Sequence, residues 1–127
     1  MITGTGTDII DIDRIEKAVE NPRFIDRVFT CREKDYCMSK IRNGQHFAAR
    51  FASKEAVMKA LGKGFAFQDI EVMNNEDGKP EIILYGNAKE YAREAGVDRI
   101  FLTISHSQNM AIAFVVMEKQ VNSNNIK

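Results

Sequence analysis

Glu55 and Lys59 set a carboxylate and an ammonium into an otherwise apolar helical segment, Phe51-Ala52-Ser53-Lys54-Glu55-Ala56-Val57-Met58-Lys59-Ala60-Leu61-Gly62-Lys63-Gly64. At about 100° per residue the two groups lie roughly 40° apart, beside Ala48, Phe51 and Ala52, so the face they share should be partly buried. A carboxylate withdrawn from water is costly unless it is paired or holds a cation. The segment therefore either contains a salt bridge or builds a site. The plain alternative is an i, i+4 surface pair, which stabilises a helix by about 0.2–0.5 kcal/mol. Arg50 and Lys54 fall on roughly the opposite side, where a solvated face is expected.

Two further groups stand near the ends of expected elements: Asp8 at the end of the first strand and His106 at the tip of the last hairpin, flanked by Ser105 and Ser107. Mg²⁺ takes one or two carboxylates and completes its octahedron with water and phosphate oxygens, so Asp8 and Glu55 could supply its protein ligands. Asp8 also reads as an aspartate that precedes a helix and bonds local backbone N–H groups. His106 reads as a base, a phosphate ligand or a loop histidine satisfied by its neighbours. Gly62-Lys63-Gly64 reads as a glycine C-cap or as a place where backbone and ammonium approach a phosphate. It is no Walker A loop, because its glycines follow a helix instead of preceding one. Arg14, Lys17, Arg23 and Arg27 make the early helices locally basic, with Glu16, Glu20 and Asp26 interleaved; this suits either an acidic partner or a solvated face.

The elements that must carry these groups follow from periodicity. Residues 2–10 alternate as a strand, with Gly4 and Gly6 leaving one side open next to Asp8. Asp13 with Glu16 resembles a capping box for a short helix broken at Asn21-Pro22, and Phe24, Ile25, Val28 and Phe29 form another amphipathic turn. Thr30 with Glu33 is a second box, opening a helix that runs to about Ile41 and ends at Asn43-Gly44; the long helix bearing Glu55 follows and stops at Gly62. A hairpin comes next, from Ile70 through Asp77-Gly78-Lys79-Pro80 to Tyr85, then a helix boxed by Asn87 and Glu90, and a second hairpin from Ile100 to Met117. The order is β-α-α-α-β-β-α-β-β, an α+β domain with a largely antiparallel sheet packed against helices. Both faces of the last strand are apolar, so helices cover one face or another subunit does.

The chain has 127 residues, which suits one domain, expected over residues 1–120, with a disordered asparagine-rich tail at 121–127. Lysine plus arginine equals aspartate plus glutamate at 18 each, so net charge offers nothing to nucleic acid, and none is expected as a partner. Cys31 and Cys37 lack metal spacing and read as reduced thiols. The beginning Met1-Ile2-Thr3-Gly4 has no signal-peptide pattern, and the longest apolar run, Met110 to Met117, is too short to cross a bilayer. A cytoplasmic protein without membrane contact is expected.

Taken together, Gly4-Thr5-Gly6-Thr7-Asp8-Ile9, Arg50-Phe51-Ala52-Ser53-Lys54-Glu55-Ala56 with Lys59-Ala60-Leu61-Gly62, and Ile104-Ser105-His106-Ser107 resemble the three signatures of the holo-acyl-carrier-protein synthases, the short bacterial phosphopantetheinyl transferases. The resemblance spans residues 1–118. It implies the 4′-phosphopantetheinyl transferase fold and transfer of 4′-phosphopantetheine from coenzyme A to a serine of apo acyl carrier protein, leaving adenosine 3′,5′-bisphosphate, in fatty acid biosynthesis. It also implies Mg²⁺ on Asp8 and Glu55, and Lys59 at the leaving phosphate. Lys63, Gly64, Ser105, His106 and Ser107 would lie near the coenzyme. For the serine proton Glu55, acting through a metal-bound water, is the first choice and His106 the second. Such proteins assemble as homotrimers with a site in each subunit cleft, and their first helix docks the carrier protein. Arg14 matches there, and Arg23 and Arg27 extend the patch. The chain departs from the pattern at Ala49, where glycine is frequent, and Val57, where an aromatic is; both bear on packing. Two other functions fit the same residues: another Mg²⁺-dependent nucleotide phosphohydrolase, or a non-catalytic coenzyme A module in which Glu55 and Lys59 form a buried ion pair.

Overall fold

The alternation at the start of the chain produces β1 (Ile2–Asp11), which in the computed structural model, describing residues 1–121, leads into four consecutive helices. These are α1 (Ile12–Ala18), α2 (Pro22–Val28), α3 (Cys31–Met38) and α4 (Asn43–Leu61). A single 3-10 turn (Phe67–Asp69) precedes β2 (Ile70–Asn74) and β3 (Pro80–Leu84); α5 (Gly86–Glu94), β4 (Arg99–His106) and β5 (Met110–Glu118) complete the order. The expected α+β arrangement holds, with the first helical stretch divided at Asn21-Pro22 into α1 and α2. Beyond Val121, the expected disordered tail lies outside the described residues.

Several expected boundaries move. Asp8 lies inside β1 instead of at its end, and α1 is capped by Asp11, whose side chain accepts from Asp13 N–H, so the Asp13–Glu16 box does not form. The Thr30–Glu33 box does form, with Thr30 accepting from Glu33 N–H and Glu33 accepting from Thr30 N–H. That helix stops at Met38, and Asn43 and Gly44 begin α4 instead of ending α3. Tyr85 occupies the N-cap of α5 without a side-chain bond, and Glu90 pairs with Arg93 in place of boxing Asn87. The cysteines are both free, as read, Cys31 exposed and Cys37 buried.

Three strands form an antiparallel sheet in the order β1-β5-β4, and β2 pairs with β3 in a separate hairpin. Asp8 stands opposite Ala113, while Ile10 and His106 both stand opposite Ala111, so Gly6, Asp8, Ile10 and His106 share the inner face. On that face Ala111, Ala113, Val115 and Met117 are fully buried beneath α4. The side that Gly4 and Gly6 leave bare is filled by the helix backbone. A Cβ on Gly6 would stand 1.9 Å from the Ala56 carbonyl oxygen, and one on Gly4 2.2 Å from that of Ala60. Among the described residues nothing covers the outer face: Ile9, Phe101, Ile112 and Phe114 lie on it, each at least 40% exposed.

The largest departure concerns the far side of α4. Phe47 meets Phe29 there and Phe51 stacks on Phe67, because α1, α3 and β2 wrap that side. No solvated face is left, and Lys54 and Arg50, expected in water, are 0% and 4% exposed. Lys54 Nζ pairs with Glu33 at 2.7 Å and donates to the carbonyls of Val28 at 2.6 Å and Phe67 at 3.0 Å. Arg50 lies over the Tyr36 ring, 4.2 Å from its centroid.

Candidate active site

β1 is an edge strand, and its Asp8 lies on the inner face, toward α4. There Lys59 Nζ donates to Asp8 Oδ1 at 3.1 Å and to the Thr7 carbonyl at 3.0 Å. Lys59 thus pairs with Asp8 and not with Glu55, and it remains more than half exposed, so the buried Glu55–Lys59 ion pair required by a purely structural reading is absent. An ammonium has three protons; with two spent on Asp8 and Thr7, the third is free for a ligand. The Thr7 carbonyl is a partner that side-chain motifs do not reveal.

Glu55 is half-buried and, among the described residues, accepts no hydrogen bond. Burial raises its pKa and the Asp8 charge adds to that, with Lys59 opposing. A half-buried carboxylate without a donor of its own, standing close enough to Asp8 to feel its charge, forms with it a donor set suited to a hard divalent cation. Among the described residues no cluster of three or more His, Cys, Asp or Glu could hold a metal, so a cation here would draw its other ligands from water and phosphate. The structure therefore brings together Asp8, Glu55 and Lys59.

His106 lies elsewhere. Its Nε2 is 2.9 Å from the Gln45 side-chain amide, ten residues and roughly 15 Å along α4 from Glu55. Within one chain it does not reach the carboxylates. It lines a cavity of about 330 Å³ with Tyr36, His46, Arg50 and Lys79. Arg50 Nε is buried there without a partner, and burial followed by the Arg50 charge lowers the His46 pKa. Arg50 lines this cavity, although the helical wheel assigned it to solvent. The other two members of the serine-flanked motif diverge: Ser105 lies on the outer face, and the Ser107 hydroxyl accepts from Asn109 and Met110 N–H, shaping the turn.

Lys63 and Gly64 line a different cavity, of about 600 Å³, at the opposite end of α4 with Phe65, Asn87 and Tyr91. Gly62 adopts φ 76°, so the plain C-cap is present. Lys63 Nζ stands 5.3 Å from the Tyr91 ring centroid. Arg14, Arg23 and Arg27 are exposed and, among the described residues, make no ion pair.

Comparison with known proteins adds independent findings. Residues 4–115 match the family model of the 4′-phosphopantetheinyl transferase superfamily. A holo-[acyl-carrier-protein] synthase of Geotalea daltonii is 50% identical, the match covering 94% of this chain and 100% of that protein. Among solved structures, a holo-ACP-synthase of Plasmodium yoelii superposes with TM-score 0.85 at 34% identity, covering 95% of this chain and 98% of that one. A holo-(acyl-carrier-protein) synthase of Bacillus anthracis in complex with CoA (3′,5′-ADP) gives TM-score 0.79 at 37% identity, covering 94% and 99%.

Proposed function

The chain belongs to the 4′-phosphopantetheinyl transferase superfamily, and on that premise we propose that it transfers 4′-phosphopantetheine from coenzyme A to a serine of apo acyl carrier protein, releasing adenosine 3′,5′-bisphosphate, in the service of fatty acid biosynthesis. The observation that carries the reading is the convergence of Asp8, Glu55 and Lys59 in one crevice from two distant motifs.

Asp8 and Glu55 would hold Mg²⁺, which supplies charge neutralisation for a diphosphate whose bridging oxygen becomes anionic as the anhydride breaks. Lys59, held by Asp8 and Thr7, offers its third proton to the leaving phosphate. Glu55, half-buried and without a donor of its own among the described residues, takes the proton of the serine hydroxyl through an intervening water. His106, bonded to Gln45 at the far end of α4, roughly 15 Å of helix from Glu55, is not that base within one chain. Arg50 gives that cavity the charge to hold a coenzyme phosphate and His106 a ring nitrogen to bond it, while Lys63 and Gly64 offer another anchor.

The coenzyme-binding candidates lie at both ends of α4, so no single cavity of one chain contains them all. A cleft between copies can bring the His106 end of one chain to the Glu55 end of another. The uncovered outer sheet face, with Ile9, Phe101, Ile112 and Phe114, supplies the apolar surface for such an assembly, and we read it as a homotrimer. Arg14, Arg23 and Arg27 form a basic strip suited to an acidic carrier protein. No helix of the described residues is long and apolar enough to cross a membrane, and a cytoplasmic location suits both substrates.

Chromatography of the nucleotide products tests the reading. Adenosine 3′,5′-bisphosphate should appear only when coenzyme A, Mg²⁺ and apo carrier protein are all present. Release of inorganic phosphate without carrier protein would instead identify a phosphohydrolase.

A further inference from the structure

Lys54 is fully buried, immediately precedes Glu55, and takes no part in the chemistry above. Its ammonium spends all three protons on three different segments: Glu33 at the start of α3, the Val28 carbonyl at the end of α2, and the Phe67 carbonyl in the 3-10 turn. Glu33 is equally committed. Oε1 accepts from Thr30 N–H at 2.9 Å as well as from Lys54, and Oε2 accepts from Val72 N–H at 2.7 Å, so one carboxylate ties α3, α4 and β2 together. Neither group is exposed at all.

Such a pair is a poor source of stability, because desolvating two ions offsets most of their attraction and apolar replacements of similar shape often do as well. What it supplies is direction. On the opposite side of α4, the close contacts of Ala56 and Ala60 with Gly6 and Gly4 set the distance between helix and β1. Backbone contact of that kind sets separation more firmly than rotation. The three bonds of Lys54 fix the rotation, one residue from the carboxylate that must face Asp8. Ligand geometry tolerates only about 0.5 Å or 10–20° of error.

We propose that the Lys54–Glu33 pair is a positioning device that locks the rotation of α4 and so aims Glu55 at the position shared with Asp8. The proposal rests on the reading of Asp8 and Glu55 as ligands of a divalent cation. Lys54→Met alone leaves Glu33 buried without a counter-charge and will unfold much of the protein, so the informative variant is the double Lys54→Met, Glu33→Gln, which removes both charges and keeps the volume. Its thermal midpoint is measured together with Mn²⁺ binding in the presence of coenzyme A, followed by electron paramagnetic resonance of the free ion. The double variant leaves the Val28 and Phe67 carbonyls and one of the two N–H groups on Glu33 unpaired, so it should still melt cooperatively but at a lower midpoint than the parent, and need at least tenfold more Mn²⁺ for half-saturation where it is folded. Parent-like Mn²⁺ binding by the folded double variant would overturn the proposal, and so would its failure to fold, which would make the pair a stability element. Failure of the parent itself to bind Mn²⁺ with coenzyme A would instead overturn the ion site on which the proposal rests.

Discussion

Lys59 owes its reactivity to what it is bonded to. Because Asp8 and the Thr7 carbonyl take two of its protons, the third is held in a fixed direction, and removing the ammonium deletes a donor that is aimed before substrate arrives. Lys59→Met should therefore lower kcat by about 10²–10³-fold with an unchanged thermal midpoint, as read by steady-state kinetics and calorimetry. Glu55→Gln keeps the shape and removes the charge; it should abolish turnover while leaving the fold intact, since Glu55 makes no internal hydrogen bond that folding requires. A collapse of stability in Glu55→Gln would point to a structural role. That Glu55 and Asp8 stand near one another was expected from the resemblance of their two motifs, and the structure brings them close enough for the Asp8 charge to act on Glu55. The partnership of Lys54 with Glu33 was not legible in the sequence. A helical wheel puts Lys54 opposite the apolar face and cannot show that α1 and α3 return to cover that side. The signal was there in Ile15, Ile25, Val28 and Phe29, apolar residues of short helices that needed something to pack against.

Glu71 shows how elements are joined. It is 3% exposed, and burial alone would raise its pKa; hydrogen bonds from Arg32, Thr30 and Tyr85, with the Arg32 charge, outweigh that and hold it below the ordinary carboxylate range. A carboxyl depressed in the folded state contributes stability above its unfolded pKa and loses it as pH falls through the folded value. Acidification should accordingly weaken the clasp between α3, β2 and the entry to α5, and Glu71→Gln should flatten the acid limb of a stability–pH profile measured by denaturant titration. The glycines of β1 set a stricter condition. Gly6→Ala drives a methyl into the Ala56 carbonyl, a backbone atom that cannot swing aside, and should cost about 3 kcal/mol or more in chemical unfolding. The strand pattern displayed the bare side of Gly4 and Gly6; what fills it is a helix backbone, which no pairwise reading of positions 4 and 56 would disclose. Caps were legible only where local chemistry was unopposed: Thr30–Glu33 formed, whereas Asp11 displaced Asp13 because its side chain lay closer to the free N–H groups of α1.

Among the described residues, one face of the sheet has no cover. Ile112 and Phe114 of β5, with Ile9 and Phe101 beside them, form a contiguous apolar strip of the kind that drives association. Light scattering behind size exclusion should give the mass of three chains, and Phe114→Glu should shift it to a single chain with loss of turnover. A parent that elutes as a monomer would leave the site to be completed within one chain, against the separation of His106 from Glu55. The apolar alternation of β5 made the two-faced strand legible, but which face α4 takes depends on register with β1, a long-range pairing invisible in either segment alone. The most direct measurement is the intact mass of apo acyl carrier protein after incubation with this chain, coenzyme A and Mg²⁺. A gain of one phosphopantetheinyl unit, lost with a chelator and lost in Asp8→Ala, is the expected result; an unchanged carrier mass under all these conditions would contradict the assignment.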